Sequence, residues 1–311
     1  MRNKTAKPAS LFITLIMLFI GASPLFADEW VPVRTIPGGT IPAYGDSGNV
    51  VITGFADEQN GIAISVPADV HYTRDGGTTW TYAVVPEITY LNSLEILDSS
   101  HAWVISGLET RYTNNGGKSW NELPRYGAIY AVGHYISFID PLNGWYGICH
   151  GGTVPQLANT VDGGRNWIPI PTPPQATEDS IWAINRVDRD TGYLLLYDGS
   201  IFRTDNNGST WKKAGRIPTG KRILENTTWG TINSAFRFSD KLHGSAILLS
   251  LKPRGYVSFS TSDGGASWIE DSLPEQARSF CGSIFLSCDR RILTITDLEN
   301  GSAIIFKRKE K

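Results

Sequence analysis

Three cysteines in 311 residues are too few, and too unevenly spaced, for a disulfide-stapled scaffold, a haem attachment motif or a zinc site. An odd number leaves at least one thiol unpaired within the chain, and Cys149, Cys281 and Cys288 read as small apolar fillers. There is no excess of positive charge either. Lys and Arg number 28 against 30 Asp and Glu, so a phosphate backbone would meet no basic surplus, and nucleic acid is not expected as a partner. Charged residues make up only 19% of the chain, which excludes a disordered segment. The chain also lacks a Gly-rich phosphate loop, a His-Glu-x-x-His helix and a Gly-x-Ser-x-Gly elbow, so no cofactor and no metal is expected. Two Met stand against 32 Gly, 17 Pro, 12 Tyr, 12 Phe and 10 Trp. That balance suits many short strands joined by tight turns far better than packed helices, and an all-β chain is expected.

The N-terminus carries Arg2, Lys4 and Lys7, then an apolar run from Leu11 to Ile20, then small residues ending at Ala27. This is the layout of a secretory signal peptide spanning residues 1–27. The apolar run is shorter than the roughly 20 residues of a spanning helix, so no membrane span is expected after cleavage. The segment removes three positive and no negative charges, leaving 25 basic and 30 acidic side chains and a net charge of −5. The expected location is exported, in a periplasm or the medium, with residues 28–311 as one domain.

Internal repetition decides the architecture. Thr73-Arg74-Asp75-Gly76-Gly77-Thr78-Thr79-Trp80 returns as an eight-residue unit ending at Trp120, Trp167, Trp211 and Trp268. Its third position is Asp75, Asn115, Asp162, Asn206 and Asp263 in turn. The carboxyl or amide oxygen accepts backbone N–H bonds of a turn, Gly takes a positive φ, and Trp folds back as an anchor where the next strand begins. A second polar turn precedes each unit, as in Ile139-Asp140-Pro141-Leu142-Asn143-Gly144. The Trp residues lie 40, 47, 44 and 57 residues apart, the length of a four-stranded propeller blade. After Trp268 the chain offers three strands, 279–286, 291–296 and 302–307, and stops. Trp30-Val31-Pro32-Val33 resembles the segment after each repeat and is expected to supply the missing strand, closing a six-bladed β-propeller. Seven blades result if residues 50–54 belong to an extra unit.

The eight-residue units resemble the Asp-box, or BNR repeat, of sialidases and related β-propellers, whose pattern is Ser/Thr-x-Asp-x-Gly-x-Thr-Trp. Asn115 and Asn206 depart from it yet can accept the same bonds. One fold-defining turn repeated around a ring cannot converge on a single site, so these Asp and Asn residues read as structural; a calcium loop needs a longer series of oxygen ligands. Over nearly the whole mature chain the repeat is similar to the photosystem II stability and assembly factor family. That resemblance implies a non-enzymatic propeller whose face binds a protein partner and aids its assembly. Typical members have seven blades and often a lipid-modified or thylakoid-targeted start, from which this chain differs. The alternative is a sialidase-like glycosidase or glycan-binding propeller. The sialidase resemblance implies three Arg on the substrate carboxylate, a Tyr nucleophile and an Asp acid/base. Arg34-Thr35-Ile36-Pro37 is the nearest match to the motif of the first Arg, and no Tyr and carboxylate pair can be assigned.

In a propeller the innermost strands line a central channel, and the loops entering them form the face where most ligands bind. The residues nominated for that face are Arg34 and Tyr44 before blade one, Tyr90 and Asn92 in blade two, and His134 in blade three. Trp182 and Asn185 follow in blade four, Trp229 and Arg237 in blade five, and Arg278 before blade six. Trp182 and Trp229 read either as exposed stacking surfaces or as packing between blades. His101 and His243 fall in turns and read as solvated surface residues.

Overall fold

The computed structural model describes residues 30–41, 49–66, 69–83, 85, 88, 91–107, 109–126, 134–150, 153–176, 181–219, 234–251, 254–279 and 282–309. The signal segment 1–27 lies outside them, as do Tyr44, Tyr90, Trp229 and Cys281.

The chain opens on β1 (Trp30–Ile36). Blade one follows as β2 (Asn49–Phe55), β3 (Gly61–Val66), β4 (Asp69–Thr73) and β5 (Thr81–Ala83). Blade two is β6 (Ser93–Ile96), β7 (Ala102–Ser106), β8 (Glu109–Thr113) and β9 (Asn121–Leu123). Blade three is β10 (His134–Phe138), β11 (Gly144–His150), β12 (Thr153–Thr160) and β13 (Ile168–Ile170). Blade four is β14 (Ile181–Arg186), β15 (Gly192–Leu196), β16 (Ser200–Thr204) and β17 (Lys212–Arg216). Blade five is β18 (Ser234–Phe238), β19 (Gly244–Leu251), β20 (Arg254–Thr261) and β21 (Ile269–Asp271). A short helix, α1 (Glu275–Ser279), leads to β22 (Gly282–Leu286), β23 (Ile292–Asp297) and β24 (Ala303–Arg308). Every sheet is four-stranded and antiparallel, and the sixth is ordered β1-β24-β23-β22. The protein is a six-bladed β-propeller, with its N-terminal strand completing the last blade. Residues 50–54 lie within the inner strand of blade one and form no extra unit. The strand expected over 279–286 begins at Gly282, because Ser279 ends α1.

Stacked side chains join the blades. Trp103 on β7 lies flat on Phe138 of the next blade, with centroids 3.7 Å and planes 5° apart. Tyr193 on β15 lies on Phe238 in the same way, at 3.6 Å and 4°. Between blades three and four a cation replaces the ring, with the Arg186 guanidinium 5.6 Å from the Trp145 centroid, a favourable pairing of charge with a π face. The Gly that opens the second strand is what lets each Phe fold over its own blade. A Cβ at Gly144 would stand 2.6 Å from the Phe138 ring, and one at Gly244 would stand 2.7 Å from Phe238.

The five repeats adopt one turn. Thr73 Oγ1 donates to Asp75 Oδ1 (2.8 Å) and accepts the Gly77 N–H (2.8 Å), while Asp75 Oδ1 accepts the Thr79 N–H (2.9 Å). The same three bonds recur around Asn115, Asp162, Asn206 and Asp263. Asn207 holds the positive φ (54°) that Gly takes at this position in the other repeats, as Asn tolerates the left-handed region better than most residues. Burial of the Trp anchors is uneven: Trp120 and Trp268 are buried, whereas Trp80, Trp167 and Trp211 are only half-buried. Trp211 differs in its bonding too, since its Nε1–H reaches back to Pro171 O of the preceding blade (2.8 Å). Each turn is tied to the hairpin between the first two strands of its own blade, for example Gly163 N–H to Leu142 O (2.9 Å). All five repeats therefore sit at one end of the ring, opposite the end where the inner strands begin.

These turns give the fold an acid dependence. Bonds from the Thr79 hydroxyl and N–H hold the Asp75 carboxyl at about 2, against an ordinary 3.8. At Asp162 and Asp263 burial pushes upward, but bonds from Asn166 and Ser267 respectively outweigh it and leave both lowered. A carboxylate whose folded pKa lies below its unfolded value stabilises the fold above the unfolded value and loses that contribution as pH falls through the folded one. Stability should therefore decline between about pH 4 and about pH 2. The triple variant Asp75→Asn, Asp162→Asn, Asp263→Asn, which copies the natural second and fourth repeats, should show a flatter acid limb in urea unfolding at a series of pH values. An unchanged limb would place the acid sensitivity elsewhere.

Candidate functional site

The six inner strands, β2, β6, β10, β14, β18 and β22, pack side by side around the axis. Their penultimate residues are Gly54, Glu95, Ser137, Asn185, Arg237 and Phe285. Three of these hold the following blade by the same device. Glu95 Oε1 accepts the Phe138 N–H (3.3 Å), Ser137 Oγ accepts the Arg186 N–H (3.0 Å), and Asn185 Oδ1 accepts the Phe238 N–H (2.7 Å). Polar residues at a buried level of the channel are thus explained by edge N–H groups that need acceptors.

Arg237 cannot accept such a bond and spans the channel instead. Blades two and five stand opposite in a ring of six, and the Arg237 guanidinium of blade five grips the Glu95 carboxylate of blade two with both of its terminal nitrogens. Nη1 lies 2.8 Å from Oε1, and Nη2 bonds Oε2. This fork-to-fork geometry is the strong form of a charge-assisted hydrogen bond. The Glu95 side chain is 1% exposed and that of Arg237 11%. Burial works against the Arg237 charge, but the facing carboxylate outweighs it and holds the guanidinium pKa above its ordinary value. Cys288, just beyond β22, completes the cluster: its thiol donates to Ile96 O (3.2 Å) and lies 3.9 Å from Glu95 Oε1. Burial, reinforced by Glu95, pushes that thiol up to about 12, so it stays protonated at neutral pH. Cys288 is a half-buried donor against a charged pair, which corrects its reading as an apolar filler.

On the side from which the inner strands enter, the pair forms the floor of a cavity of about 80 Å³. Ile52, Tyr135, Trp182, Ala183, Phe236 and Phe285 are among its walls. Trp182 is 7% exposed and stacks on Tyr197, with centroids 5.1 Å apart. Tyr197 lies in the turn after β15 and is 39% exposed, presenting an aromatic surface beside the mouth. Among the described residues, no group of three His, Cys, Asp or Glu side chains is placed to hold a metal ion.

Of the residues nominated from sequence, the structure brings Trp182 and Arg237 together in this cavity. Asn185 lies one level with Arg237 but bonds the neighbouring blade, and Asn92 is used inside blade two, where its Oδ1 accepts the Gly107 N–H (2.7 Å). His134 opens β10 opposite Ile148, and Arg278 lies in α1. Arg34 is not on this face. It belongs to the outermost strand of blade six, and its Nη1 donates to Asp75 O (2.7 Å) and Gly76 O (2.5 Å) in the turn of blade one. A register shift between Pro32 and Arg34 accompanies that reach. Arg74 repeats the contact from blade one to Gly116 O of blade two (2.5 Å), so both arginines are clasps between blades. His101 and His243 also have defined partners, each with Nδ1 within hydrogen-bond distance of the Asp three residues before it. Glu95 was missed altogether. The available signal was a lone carboxylate in an otherwise apolar inner strand, at the same distance from its Asp turn as Arg237.

No family model matches this chain, and no curated protein matches it. Solved structures do. YCF48 from Cyanidioschyzon merolae is 15% identical, with a TM-score of 0.51 over 90% of this chain and 98% of that one. An ancestral GH74 enzyme is 13% identical, with a TM-score of 0.54 over 86% of this chain and 37% of that one. YCF48 bound to D1 peptide is 16% identical, with a TM-score of 0.44 over 91% of this chain and 96% of that one. What this chain shares with the first two is the β-propeller fold.

Proposed function

We propose that this protein is an exported, non-enzymatic propeller whose channel-mouth face binds a protein partner, serving as an interaction or assembly platform. The observation that carries this reading is the cavity floor. The axial carboxylate, Glu95, is fully engaged by Arg237 and the Phe138 N–H, so it is committed to structure and not free to act as an acid or base. Among the described residues one arginine, Arg237, lines the cavity, where a sialidase would gather three. Size adds to this. An enclosed cavity of about 150 Å³ holds benzene, and this one, at about 80 Å³, is smaller. The resemblance of the repeats to the photosystem II stability and assembly factor family implies the same role, and the fold shared with YCF48 fits it.

The test uses the full chain in its producing cells. Replacing Tyr197 with the photocrosslinker p-benzoylphenylalanine should yield a discrete adduct in the envelope or secreted fraction. The same replacement at Tyr82, which is 53% exposed on the outer strand β5, should not. N-terminal sequencing of the exported chain should begin at Asp28. Turnover of a fluorogenic sialoside by the purified protein, with no adduct from position 197, would establish the glycosidase alternative instead.

A further inference from the structure

The sixth blade closes without a complete eight-residue repeat, and the register of its outer strands shows which residues stand in the missing place. In blades one, two and three the residue after the repeat Trp pairs with the residue before the repeat Thr: Thr81 with Tyr72, Asn121 with Tyr112 and Ile168 with Asn159. In blade six Val31 pairs with Lys307. Trp30 therefore holds the Trp position and Arg308 the Thr position. Counting back from Trp30, Asp28 and Glu29, which lie outside the described residues, correspond to Thr78 and Thr79 of blade one. Thr79 is the residue whose hydroxyl donates to the Asp75 carboxylate (2.6 Å). Blade six has an acid at that position and cations, Arg308 and Lys309, at the first two.

Two further observations point to an anionic occupant at this corner. In blades one, two and five the repeat Trp donates its Nε1–H to a Gly carbonyl three residues earlier. Trp30 is 3% exposed, yet its Nε1–H makes no hydrogen bond among the described residues, and a buried donor without an acceptor is costly. The second observation is a concentration of positive charge. The Arg308 guanidinium lies 4.9 Å from the Trp30 centroid, the Arg308 N–H bonds Arg291 O (2.9 Å), and Arg290 and Lys309 adjoin these two along the chain. Arg290 is buried. Four cations gathered in this way repel one another unless carboxylates stand among them, and Asp289 lies 4.0 Å from one, Arg291. Covalent reach supplies the others. Two residues span at most about 7 Å, so Asp28 stays near this corner while Trp30 is paired with Arg308. We infer that Asp28 and Glu29 seat there as an ionic substitute for the sixth turn, with carboxylates among Arg290, Arg308 and Lys309 and within reach of Trp30 Nε1–H. The contact locks the seam between blades five and six, which Arg308 already crosses to Ser245 Oγ (2.8 Å).

A carbodiimide, which condenses a carboxylate and a touching ammonium into an amide while it takes up the water as a urea, tests the contact on the chain purified from its producing cells. The Lys307–Glu58 ion pair is the internal standard. Tryptic mass spectrometry should recover Asp28 or Glu29 joined to Lys309, and 1 M salt should lower the yield of this link and of the standard. The double variant Asp28→Asn, Glu29→Gln should lose the link and melt roughly 2–4 °C lower at low salt. Glu122→Gln, Glu299→Gln removes the same charge from exposed positions outside this corner and should melt within about 1 °C of the parent. A standard link formed without one from Asp28 or Glu29, or equal melting temperatures for the two double variants, would overturn the inference. So would a link from Lys309 to another carboxylate of this chain or of a copurifying protein, which would assign the corner to that occupant. The photocrosslink at position 197 tests the platform reading alone, and neither result there moves this one.

Discussion

Arg237→Ala should lower the unfolding free energy by about 3–5 kcal/mol, the usual cost of removing one member of a buried ion pair. The loss comes less from the vanished attraction than from what stays behind. Glu95 is 1% exposed, and without Arg237 its charge keeps, among the described residues, only the Phe138 N–H and the Cys288 thiol as company. Those two cannot replace a bidentate guanidinium. The paired replacement Glu95→Leu, Arg237→Met removes both charges and preserves apolar volume, so it should recover most of the stability despite stranding the Phe138 N–H. Urea unfolding of the two single variants and the double variant gives the coupling directly. A loss below about 1 kcal/mol for Arg237→Ala would mean that water reaches the pair and that the channel has no solid floor.

Deleting residues 30–36 should have the second large effect. β1 closes the sixth blade by pairing along β24 from Trp30 opposite Arg308 to Ile36 opposite Ala303, and it touches both neighbouring blades. Toward blade five, Trp30 is buried in the same core cluster as Tyr256 and Phe259, and the Arg308 guanidinium lies 4.9 Å from the Trp30 centroid while bonding Ser245 Oγ. Toward blade one, Arg34 clasps the turn at Asp75 and Gly76. Loss of the buried Trp alone costs about 3–5 kcal/mol, and the deletion adds Ile36, the clasp and a full ladder of backbone bonds. A fall in melting temperature of roughly 10 °C or more follows for a chain of this size. The bared edge of β24 should also promote self-association, visible by light scattering. An unchanged melting temperature would show that β1 is a tail laid on a ring closed without it.

Much of this architecture was legible because its signals are local and repeated. The turn around Asp75 is made by residues within seven positions of one another, so five copies announce five blades, and the likeness of Trp30-Val31-Pro32-Val33 to the strand after each copy announces the sixth. Arg34 shows where such reading stops. It stands beside a Thr-Ile-Pro sequence that invites a ligand role, yet its partners lie 41 and 42 residues away in another blade, and nothing in its own neighbourhood indicates which way the outer strand faces. The three half-buried Trp anchors, Trp80, Trp167 and Trp211, make the same point. Their identity is set by the repeat, but their packing differs: Trp80 meets Phe55 and Trp167 meets Phe138 and Tyr146 of their own blades, whereas Trp211 meets Trp145 of the preceding one.

The sequence by itself determined the blade, its length, its turns and the strand that closes the ring, since each depends on hydrogen bonds and side-chain alternation over a few tens of residues. The site was decided by the tertiary structure alone. Glu95 and Arg237 are 142 residues apart, on strands that share no hydrogen bond, and they meet only because six blades set the second and fifth face to face across a narrow axis. Closing the ring at six, and so bringing opposite inner strands within reach of one guanidinium, turned an open channel into a floored cavity.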